Sequence, residues 1–116
     1  MTTRISKLEK LAALLEQHAP QEGVNLTCIK NYGIARVSPT NTKIPDLYEP
    51  GIYVIGQGRK RTHVGDRNYE YSAGDFLAVF LPMPVKKEVI EASPDKPFLI
   101  AGLQIDQGRL ADVLLR

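Results

Sequence analysis

Cysteine is almost missing from this sequence: Cys28 is the one thiol in 116 residues. A single cysteine excludes an internal disulfide framework and fits a reducing, cytoplasmic setting. Histidine is nearly as scarce, with His18 and His63 far apart in the chain. Tetrahedral metal centres draw mainly on Cys and His, so neither a metal nor another cofactor is expected. No apolar run approaches the roughly 18 to 20 residues that cross a bilayer. The polar opening MTTRISKLEK lacks the apolar stretch of a signal peptide, so no membrane partner is expected. An excess of one charge is lacking too. Fifteen Lys and Arg against 13 Asp and Glu leave +2, too little for a nucleic-acid surface. Gly56-Gln57-Gly58 is a lone GxG between two strand-like runs, not before a helix, and makes no phosphate loop. Nucleophilic catalysis would need Cys28 or a serine beside a histidine. His18 falls at a helix end and His63 on the outer face of a hairpin, so the sequence points away from an enzyme.

What is present is an ordinary apolar fraction, 43%, in a length that suits one domain. Residues 1–20 read as a helix, with Ser6 and Glu9 as a capping box. Ile5, Leu8, Leu11, Ala12 and Leu15 recur at helical spacing, and Pro20 follows the run. Residues 22–105 read as short strands separated by Gly, Pro and Asp: Val24–Ile29, Gly33–Val37, Ile52–Ile55, Lys60–Val64, Asn68–Tyr71, Phe76–Phe80, Lys86–Ile90 and Phe98–Ile105. Such a succession without intervening helices predicts a mainly β domain, an antiparallel barrel or jelly roll. The longest connection, Ser38 to Gly51, is expected to be a loop folding back on the sheet through Leu47 and Tyr48, either as simple packing or as a ligand lid. Residues 106–116 begin a second helix, with Asp106 as N-cap and Leu110, Val113 and Leu114 on one face. The chain stops at Arg116 within that pattern, as a cut domain would.

One hairpin can be read residue by residue. Gly65-Asp66 supplies a two-residue turn with glycine at its first position, as type II′ requires. Val64 then pairs with Arg67, His63 with Asn68, Thr62 with Tyr69, Arg61 with Glu70 and Lys60 with Tyr71. Arg61, His63, Asn68 and Glu70 share the outer face, where Arg61 and Glu70 attract. Lys60, Thr62, Val64, Tyr69 and Tyr71 share the inner one. Two tyrosines and a lysine facing inward suit a small polar or anionic molecule. The simpler arrangement puts the tyrosine hydroxyls at the rim and lets Lys60 reach water.

Leu47-Tyr48-Glu49-Pro50, Gln57-Gly58-Arg59-Lys60-Arg61, Gly65-Asp66 and Tyr69-x-Tyr71-x-Ala73-Gly74 follow one another in an order that resembles the N-terminal domain of AraC-type transcriptional regulators. Leu81-Pro82-x-Pro84-Val85, Glu91-Ala92-Ser93-Pro94 and Pro97-Phe98 continue the resemblance, which runs from about Pro45 to Leu115. It implies a cupin-like barrel with a helix at each end, the non-enzymatic regulatory half of a bacterial transcription factor. That half senses a small effector, forms a homodimer, or both. Its helix-turn-helix DNA-binding domain would lie on the C-terminal side, beyond this chain. The residues expected at the effector are Tyr48, Lys60, Tyr69 and Tyr71; those expected at a dimer seam are Leu110, Val113 and Leu114. A ligand-free structural dimerisation domain and a small cupin enzyme are the alternatives.

Overall fold

The computed structural model describes residues 3–115. Helix α1 (Thr3–His18) opens the chain, and helix α2 (Gln107–Leu114) closes it. Between them, among the described residues, lie β1 (Gly23–Leu26), β2 (Tyr32–Val37), β3 (Ile44–Tyr48), β4 (Gly51–Gln57), β5 (Arg59–Val64), β6 (Arg67–Ser72), β7 (Phe76–Val79), β8 (Met83–Glu91) and β9 (Phe98–Gln104). All pairings are antiparallel. They form a five-stranded sheet in the order β1-β2-β9-β4-β7 and a four-stranded sheet in the order β3-β8-β5-β6. The mainly β class with a terminal helix at each end is the expected one. The expected barrel is not closed, because β1 and β7 end one sheet and β3 and β6 the other without pairing across.

Helix α1 begins at Thr3, so Ser6 lies inside the helix and is not its N-cap as expected. The i, i+3 spacing from Ile5 to Leu8 simply continues the apolar stripe past the proposed cap. The later part of that stripe lies on the outer face of the five-stranded sheet, where Leu15 and Ala19 pack on Ile34, Leu99 and Ala101, with Leu11 and Tyr32 alongside. The approach is close because Gly56 has no side chain. A Cβ there would sit 2.3 Å from Leu15 Cδ1. Gly56 is also where β4 shifts register against β9, a bulge between Ile55 and Gln57. Two residues on, Gly58 turns the chain into β5 at φ +84°, where a Cβ would lie 2.6 Å from the Glu91 carbonyl oxygen. The lone GxG therefore has a structural account on both sides.

The predicted hairpin forms in its expected register over all five pairs, with Gly65 at φ +61°. Asp106 caps α2 as expected, its carboxylate accepting the Arg109 N–H at 3.1 Å. The segment expected to be a loop from Ser38 to Gly51 instead contains strand β3. Ile44 lies opposite Lys87, Asp46 opposite Val85, and Tyr48 opposite Met83. Pro45 is tolerated because β3 is an edge strand, where one nitrogen can face away from the ladder. Just before it, Asn41 extends the pairing with its side chain: its Oδ1 accepts the Val89 N–H at 2.7 Å while its own N–H donates to the Val89 carbonyl. Strand β1 stops at Leu26, short of the expected Ile29. There Thr27 Oγ1 donates to the Tyr32 carbonyl at 2.9 Å and Asn31 takes φ +65°.

Candidate functional site

The inner faces of the two sheets follow from strand alternation. Phe98, Ile100 and Gly102 of β9, Gly33, Ala35 and Val37 of β2 and Tyr53 of β4 face one way. They look across at Asp46 and Tyr48 of β3, Lys60 of β5, and Lys87 and Val89 of β8. Between them runs an open cleft of about 780 Å³. Its mouth lies between the edge strands β1 and β3, where Val24, Leu26 and Ile44 stand exposed. The lining is mainly apolar, with Asp46, Lys60 and Lys87 on the four-stranded sheet and Asn31 and Gln104 on the five-stranded side, the composition of a small-molecule pocket.

Lys60 is the unusual member. It is only 6% exposed, although the simpler expectation was that it would reach water. Its Nζ lies 4.6 Å from the centroid of the Tyr48 ring, a cation–π contact. Burial pushes the ammonium down to about 8, with Lys87 lowering it further and Asp46 opposing. Asp46 itself is paired with Lys87 at 2.8 Å. Tyr48 is buried and shares a hydrogen bond with Thr62 Oγ1 at 2.9 Å, and burial pushes its phenol up to about 12. Tyr53 stacks against Tyr48 with ring centroids 6.2 Å apart and donates its hydroxyl to the Glu49 carbonyl at 2.6 Å. The phenols of Tyr48 and Tyr53 are therefore occupied by the protein.

Of the residues expected at an effector, Tyr48 and Lys60 line this cleft together, and Tyr69 and Tyr71 do not. Tyr71 packs against the cluster of Ile55, Val89 and Phe98. Tyr69 was expected to point into the interior but is 42% exposed, since β6 is an edge strand. Asp46 and Lys87 were missed. Ile44-x-Asp46-x-Tyr48 carries the period of a strand, and Pro45 and Pro50 disguised it. Among the residues expected at a dimer seam, Val113 and Leu114 are exposed, and the side chain of Leu110 lies outside the described residues.

The outer face of the four-stranded sheet has a different character. Arg61 bonds Glu70 at 3.0 Å, as the hairpin register implied, and reaches Glu88 at 3.3 Å. Arg59 pairs with Glu70, and the His63 ring lies between Asn68 and Glu88. The hydrogen bond from His63, with help from Arg61, holds the Glu88 carboxyl below its usual range. Every hydrogen-bonding group of His63 is thus turned to this ladder, away from the cleft. Among the described residues no helix is long and apolar enough to cross a membrane, and no three His, Cys, Asp or Glu side chains gather as a metal site would need.

Residues 28–116 match the family described as the AraC-type transcriptional regulator N-terminus, and the chain belongs to that family. Among solved structures, it is similar in fold to Drosophila melanogaster CENP-C bound to CAL1, at 10% identity and TM-score 0.54, covering 84% of this chain and 99% of that one. Two further structures match at lower scores. A cupin-2 domain protein from Shewanella frigidimarina has 13% identity and TM-score 0.46, covering 84% of this chain and 91% of that one. A cupin protein from Bacteroides fragilis has 20% identity and TM-score 0.45, covering 81% and 75%. No curated protein matches the chain.

Proposed function

We propose that this chain, as an AraC-type regulator N-terminus, is the effector-sensing half of a bacterial transcription factor. It takes a small molecule into the cleft between its two sheets and passes that state to a DNA-binding domain of the full-length regulator. The observation that carries the reading is the cleft itself, apolar over most of its wall yet holding a buried lysine on the inner end. A protein that needed only a packed sandwich would fill this volume, since interiors ordinarily pack like molecular crystals. Sensing requires that the ligand bind one arrangement of the chain better than another, because equal affinity shifts nothing. No catalytic role is assigned to any residue of the cleft.

A thermal-shift screen of the purified chain against small metabolites tests this reading. Stabilisation by a compound, lost when the cleft is narrowed by Gly33→Val, is the expected result; Gly33 has open cleft beside it, and a Cβ there meets its nearest neighbour at 3.5 Å. No stabilisation by any compound, with a dimer in sizing experiments, would replace it with a purely structural dimerisation role. That second reading is favoured by Val113 and Leu114, which leave an apolar stripe of α2 exposed.

A further inference from the structure

A lysine ammonium removed from water normally carries a carboxylate with it, since an unpaired buried charge is strongly unfavourable. Lys60 does not follow that pattern. Among the described residues no carboxylate oxygen lies within 4.0 Å of its Nζ, and its one close partner is the face of Tyr48. Asp46, the acid that acts on it, is already paired with Lys87. No buried side-chain nitrogen or oxygen among the described residues lacks a hydrogen-bond partner. Lys60 Nζ makes no such bond, so it must keep an opening onto the cleft. At the other end of the cleft, Val24 and Leu26 on the inner face of β1 are 72% and 87% exposed, with Ile44 opposite on β3. One end thus lacks a negative charge, and the other lacks an apolar cover.

Resting on the effector reading, we propose that the cleft takes an amphipathic organic monoanion. Its carboxylate sits on the Lys60 ammonium beside Tyr48, and its apolar body runs over Val89, Phe98 and Ile100 toward Val24, Leu26 and Ile44. The same groups argue against other ligand chemistries. A neutral polyol would leave the ammonium without a counter-charge, and beside it Tyr48, Tyr53 and Asn41 are already engaged, so its hydrogen bonds would fall to Asn31, Glu49 and Gln104. A cation would meet Lys60 and Lys87. An inorganic anion would leave the apolar mouth uncovered.

The proposal carries a pH signature. The charged and titratable groups on the Lys60 side are Asp46 and Tyr48 on β3, Lys87 on β8, Tyr71 on β6 and Tyr53 on β4, with Glu49 between β3 and β4, while the Glu88 carboxylate is held on the other face by Arg61 and His63. In the free protein burial holds the ammonium down to about 8. A bound carboxylate stabilises the protonated form, so binding above that pH must take up a proton, and affinity falls as pH rises.

The test is calorimetric titration of the full chain with octanoate and 4-phenylbutyrate, each beside its primary amide. The acids are expected to bind at least tenfold more tightly than the amides. Their affinity should stay level from pH 6 to 7.5 and fall toward tenfold per pH unit above about 8.5. In Lys60→Met, checked for folding by its thermal melt, acid and amide should bind alike. In Gly33→Val both should weaken together while the acid preference survives. Amides that bind wild type as well as the acids do would overturn the anion assignment and leave the cleft as an effector site. So would acids that stay inert while other compounds in the metabolite screen stabilise the chain. If no compound of either set binds, the effector reading itself fails.

Discussion

The two sheets meet the same problem, a second face that must be completed, and solve it oppositely. The five-stranded sheet gives its outer face to helix α1. Leu15 and Ala19 seal Ile34, Leu99 and Ala101, and Gly56 lets the helix come close. The four-stranded sheet leaves its outer face to water and lines it with Arg59, Arg61, His63, Glu70 and Glu88. Inside the molecule the contrast reverses. The helix-backed sheet offers an apolar wall, whereas the solvated sheet holds the buried ammonium. A mainly apolar backing, tied at its edge by Arg36 to Glu16 and the Ala19 carbonyl, suits a wall, and a sheet held by polar cross-strand ties can carry charge on both faces.

This contrast can be broken most strongly at the helix-backed sheet. Leu99→Ala removes a fully buried side chain at the α1 seam and should lower stability by about 2 to 5 kcal/mol. Urea denaturation measures it, and a loss under about 1 kcal/mol would show that the helix does not seal this face. The next effect has the opposite sign. Lys60 in the unfolded chain stays protonated to about 10.5, but in the fold only to about 8. Between those values the unfolded chain holds the extra proton, so stability rises with pH across that window, and the full penalty is present below it. At about 1.4 kcal/mol per pH unit, the penalty at pH 7 is of order 3 kcal/mol. Lys60→Met should therefore be more stable than wild type at pH 7, and the gap should narrow above about pH 8 and close only above about 10.5. A variant less stable than wild type at both pH values would contradict the buried charge.

A smaller loss belongs to the corner that joins the sheets. Gly58→Ala forces a side chain into φ +84° and against the Glu91 carbonyl, which should cost about 2 kcal/mol in the same denaturation assay. Wild-type stability in this variant would mean that the corner relaxes freely. The smallest effect is expected on the solvated face. Glu70→Gln removes a partner that Arg59 and Arg61 share, yet those pairs are exposed and each arginine keeps a second carboxylate, Glu91 or Glu88. The change should stay under about 1 kcal/mol at low salt and vanish near 1 M NaCl. Persistence at high salt would mean that the ladder is a packed structure and not a screened surface.

How far these features were legible in the sequence depends on how local they are. The β5–β6 hairpin was readable because a two-residue turn fixes the register, after which alternation assigns every face. The helix stripe and the Asp106 cap were readable for the same reason. Strand β3 was not, because Pro45 and Pro50 mark a loop unless the strand is known to lie at an edge, and edges are set by tertiary pairing. Tyr69 had the right parity for the interior, but parity does not say which part of an edge strand is covered: Tyr71 is packed and Tyr69 is not. Closure of the barrel failed on the same ground, since pairing between edge strands is a property of the whole fold. Half of the candidate site, Tyr48 and Lys60, was visible as residue types. Asp46 was hidden with β3, and the role of Lys87, on the expected strand Lys86–Ile90, was hidden with its partner. The burial of Lys60 was hidden because a flexible stem allows either outcome.

Strand β9 has consequences for how the chain can change. Leu99 and Ala101 are committed to the helix, while Phe98, Ile100 and Gly102 form the floor of the cleft. A strand has no third side, so alternate letters of one short stretch answer to two different demands. Substitutions can adjust the cleft and the helix seam independently, one parity at a time. Insertion or deletion of a single residue cannot, because it exchanges the two sets and presents each to the other's neighbours. Point mutation is thus the open route for retuning this pocket, and length variation in β9 is closed.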